Sequence, residues 1–135
     1  MLERIRFLAK ERVDFAFETT LASRTFASWI KELKQTGYIF HLIFLWLPNE
    51  ELAIARGAER VRMGEHNVPE ETIRRRYTKG IRNFFRLYKL LADTWFFYDN
   101  SVARSLKLLA SGGREIGTSI ENSVIWEQIQ EEYNG

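Results

Sequence analysis

The chain has 135 residues, 45% of them hydrophobic, which suits one globular domain with a buried core. Its 20 basic and 18 acidic side chains give a net charge of +2, which is too balanced for a general nucleic-acid binder. Cysteine is absent, which excludes disulfides and thiolate metal sites, and the N-terminus does not resemble a secretory signal. We therefore expect a single cytoplasmic domain over residues 1–135 that binds neither membranes nor nucleic acids.

The first third of the chain predicts two helices separated by a short strand. Residues 1–12 place apolar side chains on one helical face, and Val13–Phe17 follows as a strand. The polar residues Glu18–Thr20 end that strand, and residues 24–35 again carry apolar side chains at helical spacing. The predicted order is therefore helix, strand and helix.

The middle of the chain alternates between strands and helices. Residues 38–47 are almost continuously apolar but too few to cross a bilayer, which predicts a central parallel strand buried on both faces. Asn49 can cap a helix that runs to about residue 63, and Pro69 opens another that runs to about residue 91. Residues 94–98 form the next strand. Alternation of this kind predicts a parallel sheet.

The last third predicts a hairpin and a closing helix. Residues 106–110 and 115–120 flank the segment Ser111-Gly112-Gly113-Arg114 as two strands flank a turn. Residues 121–133 carry apolar side chains at helical spacing. The whole pattern predicts an α/β fold in which helices cover both faces of a parallel sheet.

Arginines are concentrated between residues 56 and 86. They are Arg56, Arg60, Arg62, Arg74, Arg75, Arg76, Arg82 and Arg86. Arginine stays charged and binds phosphate oxygens in a bidentate manner, so the cluster predicts a site for a nucleotide or a sugar phosphate. The alternative is a solvated helix face, because nearby glutamates would neutralise much of the charge. These glutamates are Glu59, Glu65, Glu70 and Glu71.

Polar residues follow three of the predicted strands, at Glu18–Thr20, Pro48–Glu50 and Asp99–Ser101. Since ligands of parallel sheets bind at the carboxyl ends of the strands, these segments predict a cleft at that edge. Glu18 is the best candidate to orient a substrate hydroxyl or to accept its proton, because neighbouring phenylalanines would exclude water from it. The alternative for Glu18 is a solvated or helix-capping carboxylate.

The segment 64–69, between the two arginine-rich helices, contains His66 and Asn67. Either side chain could contact a phosphate, as could Arg82 on the following helix, but a hydrogen bond that stabilises the loop is the simpler role for His66. His41, the other histidine, is far away in the sequence, so we predict no metal site.

Three segments resemble bacterial proteins of the zeta-toxin-like family of P-loop kinases. They are residues 14–24 (DFAFETTLASR), 41–47 (HLIFLWL) and 60–77 (RVRMGEHNVPEETIRRRY). The resemblance covers about residues 7–99 in unbroken order. It implies a three-layer P-loop kinase-like fold and an ATP-dependent phosphotransferase that uses Mg²⁺, of the kind that phosphorylates UDP-N-acetylglucosamine.

The resemblance also implies roles for individual residues. Glu18 and Thr19, with the adjacent Thr20, would contact the sugar nucleotide. Arg62 and the run Arg74, Arg75 and Arg76 would form the lid over the phosphates. An antitoxin is among the partners that this family implies.

The phosphate-loop pattern G-x-x-x-x-G-K-[ST] of such kinases does not occur in this sequence. We therefore expect a domain truncated at its N-terminus, with no assignable catalytic residue, that by itself neither binds ATP and Mg²⁺ nor transfers phosphate. A missing central strand would leave two strand edges unpaired, which predicts either direct pairing of those strands or a homo-oligomer. Three roles stay open: a kinase, a non-catalytic module that binds a sugar nucleotide, and a dimeric protein-interaction module.

Overall fold

The computed structural model describes residues 2–133. Its helices are α1 (Leu2–Lys10), α2 (Thr25–Gln35), α3 (Glu50–Arg62), α4 (Glu70–Asn83), α5 (Lys89–Leu91) and α6 (Ser123–Tyr133), and a π-helical turn (Phe84–Tyr88) joins α4 to α5. The strands are β1 (His41–Trp46), β2 (Thr94–Asp99), β3 (Lys107–Gly113) and β4 (Ser119–Ile120). No helix within these residues is long and apolar enough to cross a lipid bilayer.

The strands form one mixed sheet in the order β1-β2-β3-β4. β1 and β2 are parallel and are connected by the segment from α3 to α5, whereas the β2–β3 and β3–β4 pairs are antiparallel. The prediction of an α/β fold is confirmed. The parallel pairing of the strands predicted at residues 38–47 and 94–98 is confirmed, but the predicted parallel sheet is a mixed sheet, because the C-terminal hairpin pairs directly with β2. β1 lies at the edge of the sheet and not, as predicted, at its centre.

One face of the sheet forms the core together with the helices. The parallel register aligns Leu42 with Trp95 and Phe44 with Phe97, so these side chains share a face. Phe97 and Phe84 of the π-helical turn are both 0% exposed, and their ring centroids lie 5.0 Å apart. Burial of each large apolar side chain of this kind contributes about 1.5–3 kcal/mol, so this aromatic face provides much of the stability of the fold.

Helix α6 closes the core over β2 and β3. Trp126 of this helix is 1% exposed and stacks on Trp95, with ring centroids 5.6 Å apart and ring planes inclined by 12°. Ile129, on the same face of the helix, is also buried. The Asn122 side chain accepts a hydrogen bond from the Ile125 amide and so caps the start of the helix. The predicted closing helix is therefore confirmed.

The opposite face of the sheet is open. Ile43 and Leu45 alternate with the buried residues of β1 and are 63% and 49% exposed. Their partners on β2, Phe96 and Tyr98, are only half-buried. The buried side chains of α2, α4 and α6 all belong to the core on the first face. The predictions of a strand buried on both faces and of helices on both sides are therefore wrong for residues 2–133, which form two layers.

The segment Val13–Phe17 is not a strand, contrary to the prediction. Its aromatic side chains pack on α2 instead: the Phe15 and Phe17 rings lie 6.2 and 6.4 Å from the Trp29 ring. The Tyr38 hydroxyl donates to the Val13 carbonyl oxygen at 3.0 Å. Side-chain packing on a helix, rather than pairing with β1, therefore holds this segment in place.

The helices around the arginine-rich region begin where the sequence predicts. The Asn49 side chain accepts a hydrogen bond from the Leu52 amide at 2.8 Å, which confirms the predicted cap of α3. Helix α4 begins immediately after Pro69. The predicted continuous helix to residue 91 is interrupted by the π-helical turn, which no pattern in the sequence predicts.

The hairpin turn lies later in the chain than predicted. Gly112 and Gly113 belong to β3, and residues 114–118 separate β3 from β4. A Cβ on Gly112 would lie 2.8 Å from the Trp95 ring, and a Cβ on Gly113 would collide with the Asp93 carbonyl oxygen. These glycines therefore allow close contact between β3 and β2 and do not form the turn.

Candidate functional site

The loop of residues 18–23, here called the 18–23 loop, lies directly on helix α4. Gly80 of α4 faces the loop so closely that a Cβ there would collide with the Thr20 carbonyl oxygen. Leu21 has a φ of 61° and is only 5% exposed. This left-handed backbone conformation is unusual for leucine, and here it turns the loop over a side chain that is anchored in the core.

Two side chains of the helical segment hold the backbone of the 18–23 loop. Asn83 Nδ2 donates to the Leu21 carbonyl oxygen at 2.7 Å. The Tyr88 hydroxyl donates to the Ser23 carbonyl oxygen at 2.6 Å. The loop is therefore fixed by hydrogen bonds as well as by packing.

The candidate side chains of the loop point into solvent. Glu18, Thr19 and Thr20 are exposed. The Thr19 hydroxyl accepts from the Leu21 amide at 3.2 Å and the Thr20 hydroxyl accepts from the Ala22 amide at 3.4 Å, in the manner of short polar turns. The expected dry environment of Glu18 is not present, because the preceding aromatic rings pack on α2. All three side chains remain available to a ligand.

Two arginines of α3 are paired with glutamates. Arg62 lies 2.7 Å from Glu59, and Arg60 lies 3.7 Å from Glu65. The predicted neutralisation by these two glutamates is therefore confirmed. Arg62, which the resemblance implies for a phosphate lid, is turned toward a carboxylate of its own helix.

Arg74 is paired across the gap between α3 and α4. Its Nη1 lies 2.9 Å from a Glu50 carboxylate oxygen and 3.5 Å from one of Glu51. The hydrogen bond to Glu50, together with Glu51, raises the pKa of Arg74 above its usual value. Glu70 and Glu71, the partners that spacing suggested, form no ion pair within residues 2–133. No sequence rule connects residues 50 and 74, so this pairing could not be predicted.

Three further arginines of α4 are exposed: Arg75, Arg76 and Arg82. None of them lies within ion-pair distance of a carboxylate in the described part of the chain. Arg76 precedes Gly80 by one helical turn and therefore lies on the same face of α4, beside the 18–23 loop. Of the predicted lid arginines, helical spacing therefore aligns Arg76 with the loop contact at Gly80.

The segments that follow β1 and β2 contact the same pair of helices. Arg56 of α3 donates to the carbonyl oxygens of Asn100 and Ser101 at 2.9 and 3.1 Å. The Tyr77 hydroxyl of α4 donates to the Leu47 carbonyl oxygen at 2.7 Å. The predicted association of the strand ends is therefore indirect: α3 and α4 contact all of them.

A depression of about 250 Å³ lies at the carboxyl end of β1. It is lined by Pro48, Asn49, Glu50, Glu51, Tyr77, Glu132 and Tyr133. Burial raises the pKa of Tyr77 far above its usual value, and the neighbouring Tyr133 and glutamates raise it further. The Tyr77 hydroxyl therefore stays protonated. Three carboxylates in the lining make this depression unfavourable for a phosphate group.

His66 and Asn67 are exposed in the segment between α3 and α4. Neither side chain takes part in a hydrogen bond with another described residue, so the expected loop-stabilising bond of His66 is not formed. No group of three or more histidine, aspartate or glutamate side chains within residues 2–133 could hold a metal ion. These two residues therefore gain no support as phosphate or metal ligands.

The helix starts in this region do not fit the phosphates of ATP. The turn from β1 into α3 contains no glycine, and the Asn49 side chain already occupies the first turn by accepting from the Leu52 amide. Glu50 and Glu51 follow at once, and α4 likewise begins with two glutamates. Anions bind at helix starts with free amides, whereas these carboxylates would repel them. ATP and Mg²⁺ therefore find no fitting site at either helix.

Comparison with known proteins gives a partial similarity. The chain is 30% identical over 71 residues to an uncharacterized protein of Haemophilus influenzae, and the matched part is 53% of this chain and 51% of that protein. The chain thus spans about half the length of the curated relative that it matches. No protein-family model and no solved structure matches the chain. The resemblance to zeta-toxin-like kinases stays a prediction.

Proposed function

We propose that this chain binds a phosphorylated ligand of the sugar-nucleotide class, as its resemblance to zeta-toxin-like proteins implies, and does not transfer phosphate by means of the described residues. The binding residues would be Glu18, Thr19 and Thr20 of the 18–23 loop, with Arg76 of α4. Arg62 and Arg74 are left out of the proposal, because glutamates already pair with them.

One observation carries this proposal: the 18–23 loop packs on α4 at Gly80, one turn from Arg76. A sugar nucleotide needs hydrogen-bonding groups for its hydroxyls and a cation for its phosphates. The loop supplies exposed carboxylate and hydroxyl groups, and Arg76 supplies a guanidinium that can bind phosphate in a bidentate manner. Two elements far apart in sequence thus present complementary chemistry on one surface.

The individual roles follow from the chemistry of each group. The Glu18 carboxylate would accept hydrogen bonds from sugar hydroxyls, and the Thr19 and Thr20 hydroxyls could bond to sugar or phosphate oxygens. Arg76 would neutralise part of the diphosphate charge. Because the site is exposed, we expect affinity in the micromolar range or weaker and a marked decrease with added salt.

Titration calorimetry with UDP-N-acetylglucosamine tests the proposal. The unaltered chain should bind the ligand, and Arg76→Ala should weaken binding about tenfold or more through loss of a charge-assisted hydrogen bond. Arg6→Ala, which removes an equally charged exposed side chain from α1, is the control and should bind normally. Failure of the unaltered chain to bind would refute the proposal. ATP with Mg²⁺ should not bind, and its binding would favour a kinase instead.

The open face of the sheet favours a second candidate function, self-association. Ile43, Leu45 and the neighbouring Ile39 are 63%, 49% and 67% exposed. With the half-buried residues of β2 they leave on the order of 500 Å² of apolar surface, so two copies would bury about 1,000 Å², the lower limit for a specific interface. The surface carries few charges, so a second copy with the same apolar face fits it better than a charged partner.

Sedimentation velocity over a range of protein concentrations tests this second candidate. The chain should form a dimer that Leu45→Lys converts to a monomer, because the new ammonium group would be buried without a partner. Ala55→Lys, at an exposed position of α3, raises the net charge by the same one unit and should leave the dimer intact. If the unaltered chain is monomeric at all concentrations, a second copy does not cover this face. The face would then be available to another partner, such as an antitoxin.

A further inference from the structure

The π-helical turn lies between the two side chains that hold the 18–23 loop. Asn83 is the last residue of α4, and Tyr88 is the last residue of the turn. The Lys89 amide donates to the Phe84 carbonyl oxygen, which is the five-residue spacing of a π-helix. The bonds from Asn83 and Tyr88 to the loop therefore start at the two ends of this irregular segment.

The geometry of the turn explains why both side chains reach the same loop. In a regular α-helix, side chains five positions apart point in directions that differ by about 140°. A π-helix has about 4.4 residues per turn, which reduces that difference to about 50°. Only the wider turn therefore directs Asn83 and Tyr88 to the same side, where each donates to a carbonyl oxygen of the loop.

Gly80 completes this arrangement on the same face of the helix. Any larger residue would collide with the Thr20 carbonyl oxygen and push the loop away from α4. Positions 76, 80 and 83 follow one another along this face at intervals of four and three residues, as neighbours on a helix do. Along this face, Arg76 is followed by Gly80, which the loop contacts, and then by Asn83, whose side-chain amide donates to the loop.

We propose that Gly80, Asn83 and Tyr88, aligned by the π-helical turn, are positioning residues that set the distance between the 18–23 loop and Arg76. This inference rests on the proposed function, because the distance matters only if a ligand contacts both the loop and Arg76. None of the three residues needs to touch the ligand. They act by fixing the backbone that carries Glu18, Thr19 and Thr20.

Two conservative variants test the inference: Tyr88→Phe removes only the hydroxyl, and Asn83→Asp replaces the donating amide by a carboxylate. We expect each to increase hydrogen exchange of the Leu21 and Ala22 amides about tenfold, the effect of losing one hydrogen bond. UDP-N-acetylglucosamine should bind about five- to tenfold more weakly. Tyr133→Phe removes a tyrosine hydroxyl from α6 instead, so it is the matched control and should change neither quantity.

The two measurements separate failure of the inference from failure of the proposed function. Faster loop exchange with unchanged ligand binding in both variants, while Arg76→Ala still loses binding, would overturn the positioning role and leave the proposed function in place. Unchanged loop exchange would overturn the inference at its first step. If the unaltered chain does not bind the sugar nucleotide, the proposed function falls and the positioning role falls with it. Denaturant unfolding of each variant shows whether a change is confined to the loop.

Discussion

The two faces of the sheet carry similar apolar side chains in different surroundings. On one face, Leu42, Trp95 and Phe97 are buried under helices. On the other, Ile43 and Leu45 remain 63% and 49% exposed. β1 is apolar at nearly every position, so its sequence does not distinguish the covered face from the open one. An apolar strand therefore shows the capacity to be buried, whereas the helices available to pack on it decide which side is buried.

The largest expected difference between the faces comes from truncating a central aromatic residue. Phe97→Ala should lower the free energy of unfolding by about 3–5 kcal/mol, because it leaves a cavity among fully buried rings. Phe96→Ala changes the adjacent residue on the open face and should cost only about 1 kcal/mol. Urea unfolding measures both values. Equal losses would show that the second face is also covered in solution.

Adding a methyl group at a close contact on the buried face should have the next largest effect on stability. The Cβ of Gly112→Ala would lie 2.8 Å from the Trp95 ring, so we expect a loss of about 1–3 kcal/mol from overpacking. Gly117→Ala, where no atom lies within 4 Å of the new Cβ, should stay within about 0.5 kcal/mol of the unaltered chain. Thermal unfolding compares them. A cost at residue 117 similar to that at 112 would point to backbone strain instead of contact.

A smaller effect on stability is expected from the carboxylate of Asp93, which pairs with Lys34 of α2 and lies just before β2. Burial opposes ionisation of Asp93, but the Phe40 amide at 2.8 Å and Lys34 at 3.2 Å outweigh it and lower the pKa of Asp93. A lowered pKa in the folded state contributes stability above the unfolded-state pKa, and this stability is lost as the pH falls through the folded-state value. Stability should therefore decrease below about pH 4.

Asp93→Asn checks this dependence, because it keeps an oxygen acceptor for the Phe40 amide but removes the charge. The slope of unfolding free energy against pH between about 2 and 4 should be shallower in this variant than in the unaltered chain. Asp14→Asn, at an exposed position, serves as the reference and should leave the slope unchanged. Parallel slopes for all three proteins would assign the acid sensitivity to other carboxylates.

The smallest expected effect is on the open face itself. Ile43→Thr and Leu45→Thr keep or raise the preference for a strand and remove little buried area, so stability should change by no more than about 0.5 kcal/mol each. The measurement is chemical unfolding at a concentration where the chain is monomeric. A loss of several kcal/mol, typical of core truncation, would contradict the two-layer description.

Local signals predicted much of the fold. Asn49 and Pro69 each mark the start of a helix, because capping and proline act within one turn. The strand predicted at Val13–Phe17 was wrong for a tertiary reason: its rings found partners on α2 instead of backbone partners in the sheet. The glycines of β3 were assigned to a turn because only the fold shows the Trp95 ring beside Gly112.

The candidate site was predictable only in part. As with the fold, features set by local sequence could be predicted, and contacts between distant residues could not. The residues of the 18–23 loop and the arginines of α4 stand out in the sequence by their chemistry. The contact between Thr20 and Gly80 and the pairing of Arg74 with Glu50 join positions far apart in the chain. Spacing rules describe neighbours on one helix, so they could not separate the paired arginines from those that form no ion pair among residues 2–133.

Because Trp126 of α6 stacks on Trp95 of β2, tryptophan fluorescence can report whether α6 is packed on the sheet. Lys89 Nζ lies 5.0 Å from the Trp95 ring centroid and 5.8 Å from that of Trp126, so a cation faces both stacked indoles. Detachment of α6 would move Trp126 into water and shift its fluorescence emission to longer wavelengths. If that shift precedes the loss of helical circular dichroism during heating, α6 melts as a separate unit before the sheet opens.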